Sequence, residues 1–166
     1  MKMLLKNIDY LIYMFIGPFA ILYIFPQFFL VLERNFFTNI KIPSFFEPFS
    51  KILMYGGAAI AIWCALIMWF NKRTSPNVFS KPLTVVSTGP YKVVRHPMMW
   101  ALFITLAGEV VYFGSPFLFI WLLIWIRVSV LYIERYEEPY LNSVFGQKYI
   151  EYCEKTPRWI PYFKKI

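Results

Sequence analysis

"PMMWALFITLAGEVVYFGSPFLFIWLLIWIRVSVLYI", Pro97–Ile133, carries one acid, Glu109, and one base, Arg127, across two apolar runs parted by "FGSP". Runs this apolar belong in lipid, where backbone polar groups are satisfied only inside helices. The link is too short for anything but a tight turn built on Gly114 and Pro116. The pattern predicts a helical hairpin of Pro97–Phe113 and Ser115–Ile133. Outward from it, Ile8–Leu32 and Ile52–Phe70 pass the same test, and Pro18 and Pro26 predict a kink in the first. The expected fold is an all-α membrane protein of about four transmembrane helices, with a tight third–fourth hairpin and a helical carboxyl-terminal tail.

Composition agrees with this class. The 166 residues are 59% hydrophobic, 22% aromatic and only 16% charged, outside the range of soluble domains. A chain of this length forms a single domain, 1–166, with two spans in 1–70 and the polar loop, hairpin and tail in 71–166. The net charge of +8 does not indicate a nucleic-acid partner, because its lysines and arginines lie in short segments beside apolar runs. Cys64 and Cys153 have no disulfide or zinc spacing. The start, "MKMLLKNIDY", is read as a retained anchor rather than a cleaved signal, since no small-residue cleavage site follows.

Four spans return the chain to its starting side, so the amino terminus, the Asn71–His96 loop and the tail share a face. That face carries Lys2, Lys6, Lys72, Arg73, Lys81, Lys92, Arg95, Arg135, Lys148, Lys155, Arg158, Lys164 and Lys165, against Arg34, Lys41 and Lys51 in the Glu33–Lys51 loop. The positive-inside rule then places both termini in the cytoplasm of an inner-membrane or endomembrane protein.

Two polar segments meet at that face. Pro97 suits the first turn of a helix, which leaves His96, the sole histidine, at the helix mouth. Free N–H groups there and the Arg95 guanidinium favour an anion. If the fourth helix continues for a turn past Ile133, Arg127, Leu131, Glu134 and Glu138 follow helical spacing, with Glu137 beside them. Three clustered carboxylates near a membrane are costly unless cations face them. Arg127 is expected to face the polar site and Glu109 to snorkel at the far interface; Arg127 and Glu138 are the candidate catalytic residues. Aromatics around these charges, Tyr91 among them, belong to the interfacial belt or line a pocket through their ring faces.

"TGPYKVVRHP" ahead of a hairpin, then "EE" followed by "L", "FG", "Y", "Y" and "PRWIP", resembles the integral-membrane methyltransferases that include isoprenylcysteine carboxyl methyltransferase and phosphatidylethanolamine N-methyltransferase. The resemblance covers about the last half of the chain. It implies S-adenosylmethionine as cofactor, bound at the cytoplasmic face by Tyr91, Arg95, His96, Pro97, Glu137 and Glu138, and a lipophilic acceptor arriving from the bilayer. Met99 and Ala101 stand where family members often have tyrosine and glycine. "YEEPY" resembles the phospholipid enzymes, whereas "FGQKYIEY" and "PRWIP" resemble the prenylcysteine branch.

An ionised carboxylate needs no base, whereas an ammonium must first lose a proton, which favours an isoprenylcysteine-like carboxylate as acceptor over a phospholipid amine. A sterol-type membrane reductase using a nicotinamide cofactor and a scaffold binding anionic lipid are the other classes weighed. Oligomeric state is not legible. A reporter fused to the carboxyl terminus is expected to be active in the cytoplasm; activity on the opposite side only would overturn the topology.

Overall fold

The computed structural model describes residues 16–36, 43–70 and 84–161, and among these every regular element is a helix. The anticipated amino-terminal anchor up to residue 15, residues 37–42, residues 71–83 of the polar loop, and 162–166 lie outside the described residues. Helix α1, residues 16–36, is interrupted by a π turn, Ala20–Ile24. Helix α2 is Glu47–Phe70, entered through the 3₁₀ turn Ser44–Phe46. A further 3₁₀ turn, Gly89–Lys92, precedes α3, Pro97–Phe113. Helix α4, Pro116–Tyr132, runs through a second π turn, Ile133–Glu137, into α5, Glu138–Phe145, and α6 is Gln147–Lys155.

Three helical stretches are long and apolar enough to cross a membrane: Ile16–Arg34, Ser44–Met68 and Pro116–Phe145. Helix α3 is apolar but shorter, at 17 residues. Its ends are where the sequence puts them. Pro97 occupies the first turn, and Gly114 closes the helix in the left-handed region at φ 62°, donating its N–H to the Val110 carbonyl at 2.9 Å. Ser115 then caps α4 by accepting from the Leu118 N–H, and its hydroxyl also contacts the buried Glu33 carboxylate.

The first two helices depart from their expected bounds. Helix α1 runs past Leu32 to Phe36, and α2 starts at Glu47 rather than Ile52, so much of the anticipated Glu33–Lys51 loop is helical. Pro48 is tolerated because it stands in a first turn, and Glu47 there pairs with Lys51 one turn on at 2.6 Å. Of the prolines expected to kink α1, Pro26 acts through a π turn. Pro26 lacks an N–H and its ring crowds the carbonyl four residues back; the wider turn Ala20–Ile24 just before it absorbs that conflict. Pro139 stands in the same relation to the π turn Ile133–Glu137.

Helices α2 and α3 make the most extensive packing, and small residues let them approach. A Cβ on Gly57 would lie 2.7 Å from the Ala101 carbonyl oxygen, and one on Gly108 would lie 2.8 Å from the Met54 nitrogen. Ala101 is fully buried in this seam, so its place in the sequence answers to the packing of α3 on α2. Helix α1 leans on α4, where Phe25 and Phe29 meet the Trp121 ring at 4.7 and 5.5 Å. Outward faces remain apolar, with Ile52, Phe119, Ile120 and Leu123 exposed, as expected of surfaces solvated by lipid.

Gly57→Ala is expected to force α2 and α3 apart and to cost about 1–3 kcal/mol by overpacking. Thermal unfolding in detergent measures it, with Gly56→Ala, where a Cβ meets nothing within 4 Å, as the silent control.

Candidate functional site

The residue before a proline is excluded from the helical region, and His96 accordingly sits at φ −121° and ψ 59°. Its side chain makes no cap bond to α3, which leaves the imidazole for other partners. Those partners come from the other end of the sequence. The π turn and Pro139 bring Glu137 and Glu138 to the mouth of α3, so Nδ1 of His96 lies 3.8 Å from Glu137 Oε1 and Nε2 lies 3.3 Å from Glu138 Oε1.

Glu138 is the most heavily engaged group. Arg95 Nη1 is 2.8 Å from its Oε1, and Arg158 grips it with two nitrogens, Nε at 3.1 Å and Nη2 at 2.5 Å. Such a forked pair combines charge with directional hydrogen bonding. The third nitrogen of Arg158, Nη1, reaches Glu134 at 2.6 Å. Arg95 donates also to the Cys153 sulfur at 2.9 Å, while its Nε is buried without a partner among the described residues. Within this cluster two guanidiniums face three carboxylates. Among the described residues, Glu137 is the one left without a guanidinium.

Residues 156–161 fold back over the cluster as a strap. The Arg95 N–H donates to the Pro157 carbonyl at 2.9 Å, the Trp100 indole donates to the Trp159 carbonyl at 2.8 Å, and the Trp159 ring lies 5.7 Å from that of His96. Helix α6 is tied in by the Tyr152 hydroxyl, which donates to the Tyr91 carbonyl at 2.6 Å. Burial pushes the Tyr152 phenol above its ordinary range, so it remains a neutral donor.

Tyr91, Arg95, His96, Glu137, Tyr149 and Tyr152 line a cavity of about 130 Å³, below the roughly 300–1,000 Å³ of ligand clefts. A more open groove of about 540 Å³ runs beside Glu134, Glu138 and Cys153, and Tyr149 borders both spaces. The donor set suits a zwitterion with a further cation: Arg95 offers an unused N–H to an anion, Glu137 a carboxylate that no guanidinium holds, and the tyrosines ring faces.

The structure brings Tyr91, Arg95, His96, Glu137 and Glu138 together. Pro97 is buried at the helix start. Arg127 is not brought in. It is exposed on α4, and the one-residue excess of the π turn breaks the stripe that would have aligned it with Glu138. Glu109, expected to snorkel, is instead buried, with one oxygen lacking a partner among the described residues. Arg158 and Trp159 were missed as site residues. The signal for Arg158 was the demand that cations face the three carboxylates, which the nearby "PRWIP" meets; Trp159 carried no such signal.

The phospholipid methyltransferase family profile matches residues 48–148. Protein-S-isoprenylcysteine O-methyltransferase B of Arabidopsis thaliana is 32% identical over 80 residues, which are 47% of this chain and 40% of that protein. The chain thus spans about two-fifths of the length of this curated relative. No solved structure matches.

Removing Glu138 leaves the mostly buried Arg95 without its carboxylate partner and Arg158 with Glu134 alone. Glu138→Ala is expected to cost about 3–5 kcal/mol, read as a lowered melting temperature in detergent. Glu137→Ala, which takes away no guanidinium partner, is expected to leave melting nearly unchanged.

Proposed function

The chain belongs to the phospholipid methyltransferase family, and from that premise we propose that it transfers a methyl group from S-adenosylmethionine to a lipophilic, membrane-partitioned acceptor. The observation that carries this is the meeting of Arg95 and His96 with Glu137 and Glu138 at the mouth of α3, across some forty residues of sequence. The cofactor supplies a methyl carbon activated by a sulfonium, which an acceptor oxygen takes as the carbon–sulfur bond breaks. Arg95, with the first-turn N–H groups of α3, holds the carboxylate of the bound molecule. Glu137 meets its cationic part, and Tyr91, Tyr149 and Tyr152 pack against it. Glu138 has a different part: committed to Arg95, His96 and Arg158, it fixes the two walls relative to each other. Catalysis by this arrangement rests on alignment of acceptor and methyl group.

The acceptor we infer is an isoprenylcysteine-like carboxylate. The relative's activity supports it, and so does the state of the carboxylates: an amine acceptor needs a base, and Glu138 is held by two guanidiniums. A phospholipid amine, the substrate class in the family's name, is the alternative, with Glu137 or His96 as its base. The same reading takes α3 as the third of four spans, hairpinned to α4 through Gly114 and Ser115. At about 1.5 Å per residue its 17 residues reach roughly 25 Å, short of a ~30 Å hydrocarbon core unless its aromatic ends extend it. Both termini and the charged cluster then lie at the cytoplasmic face.

Titration calorimetry on the full chain in detergent is expected to show binding of S-adenosylmethionine and of its demethylated product. A labelled-methyl assay offering a prenylcysteine and phosphatidylethanolamine side by side is expected to label the first. No binding of either cofactor form by folded protein would overturn the enzyme; labelling of the amine alone would overturn the acceptor.

A further inference from the structure

Cys153 lies on α6 at a junction that methyl transfer leaves unused. Its sulfur accepts from Arg95 Nη1 at 2.9 Å, and the same nitrogen stands 2.8 Å from Glu138 Oε1. One guanidinium nitrogen is thus shared between a thiol and the carboxylate at the centre of the cluster. The thiol is half-buried and borders the open groove of about 540 Å³, whereas Cys64 is fully buried on α2. A small solute therefore has a path to Cys153 and no direct path to Cys64.

A second group in the groove wall points to the same place. Tyr149 is only 4% exposed, yet its buried hydroxyl makes no hydrogen bond of normal geometry among the described residues. It stands beside the Cys153 sulfur, a weak acceptor that Arg95 already engages. Burial pushes the Tyr149 phenol above its ordinary range, so the hydroxyl remains a donor. A buried donor left without an acceptor costs stability, and an oxygen atom carried by the sulfur would satisfy it.

We propose that Cys153 is a thiol-modification site, oxidised by a hydroperoxide to a sulfenic acid whose oxygen takes the Tyr149 hydroxyl and the Arg95 guanidinium as donors. The sulfur attacks one peroxide oxygen, and the S–O bond forms as the O–O bond breaks. Sulfur gives up two electrons, and the thiol proton ends on the departing oxygen, which leaves as water or an alcohol. Tyr149 meets the negative charge that builds on that oxygen. The effect on the site runs through Arg95. An oxygen is a stronger acceptor than the sulfur that bears it, so it draws Nη1 from Glu138 and turns with it the Nε that has no partner among the described residues. On the methyltransferase reading above, on which this last step rests, Arg95 holds the anionic end of the cofactor; oxidation of Cys153 weakens cofactor binding, and reduction restores it.

The full chain in detergent, treated with hydrogen peroxide and then dimedone, is expected to carry the adduct on Cys153, read by peptide mass spectrometry. Cys64, reached only when the bundle opens, reports the fold in each sample by staying unlabelled. Peroxide alone is expected to raise the Kd for S-adenosylmethionine about tenfold, the loss of one charge-assisted contact. Dithiothreitol is expected to reverse the rise, and Cys153→Ser to show no response to peroxide. Tyr149→Phe is expected to slow the labelling of Cys153, which separates a built site from a merely accessible thiol. No adduct on Cys153 of folded protein, or labelling at an undiminished rate in Tyr149→Phe, would overturn the site; labelling with an unchanged Kd would overturn its link to Arg95. Unoxidised protein that binds no S-adenosylmethionine while Cys153 is still labelled would sink the methyltransferase reading and leave the modification site standing.

Discussion

A single carboxylate, Glu138, joins three parts of the chain that are remote in sequence. Arg95 comes from the segment entering α3, Arg158 from the strap, and Glu138 itself from the start of α5, just past the π turn that follows α4. Its side chain is only 11% exposed, so the charge has lost most of its water and must be repaid by neighbours. Arg95, His96 and the two nitrogens of Arg158 do that. The strap is consequently held by charge at Arg158, by backbone at Pro157 and by ring contact at Trp159. This clamp fixes Arg95 and His96, two of the residues that line the charged cavity.

How much of the fold can be read in advance depends on whether the signal is local. Helix α3 has the predicted bounds because Pro97 and Gly114 are punctuation that acts within a turn of itself. The ends of α1 and α2 were misplaced because charged residues such as Glu33, Glu47 and Lys51 read as loop, whereas Glu33 is buried against Ser115 and Glu47 pairs with Lys51 along the helix. Ala101 shows the same limit. The family resemblance marked it only as standing where glycine is common, while its contact is with Gly57, more than forty residues away, and only the pairing of α2 with α3 reveals it.

The site was legible where chemistry demanded a partner. A cationic helix mouth and three clustered acids are each awkward alone near lipid, and each is the natural answer to the other. Arg158 answered the same demand but lay in a tail whose return path carries no periodic signal. Arg127 failed for a geometric reason: extrapolating a regular helix through Ile133–Glu137 puts it in line with Glu138, and the chain there is not a regular helix.

The winding of α4 also makes the site a matter of counting. A regular helix advances about 100° per residue, so one residue added to or taken from the regular winding of Pro116–Tyr132 would swing everything after it by roughly that angle, whereas the π turn accommodates its own extra residue locally. Glu137 and Glu138 would keep their identities and lose their facing, and the strap beyond them would begin from a different side of α4. The length of this stretch is therefore under a constraint separate from its composition: substitutions on its exposed face are compatible with the site, whereas an insertion or deletion of a single residue is not.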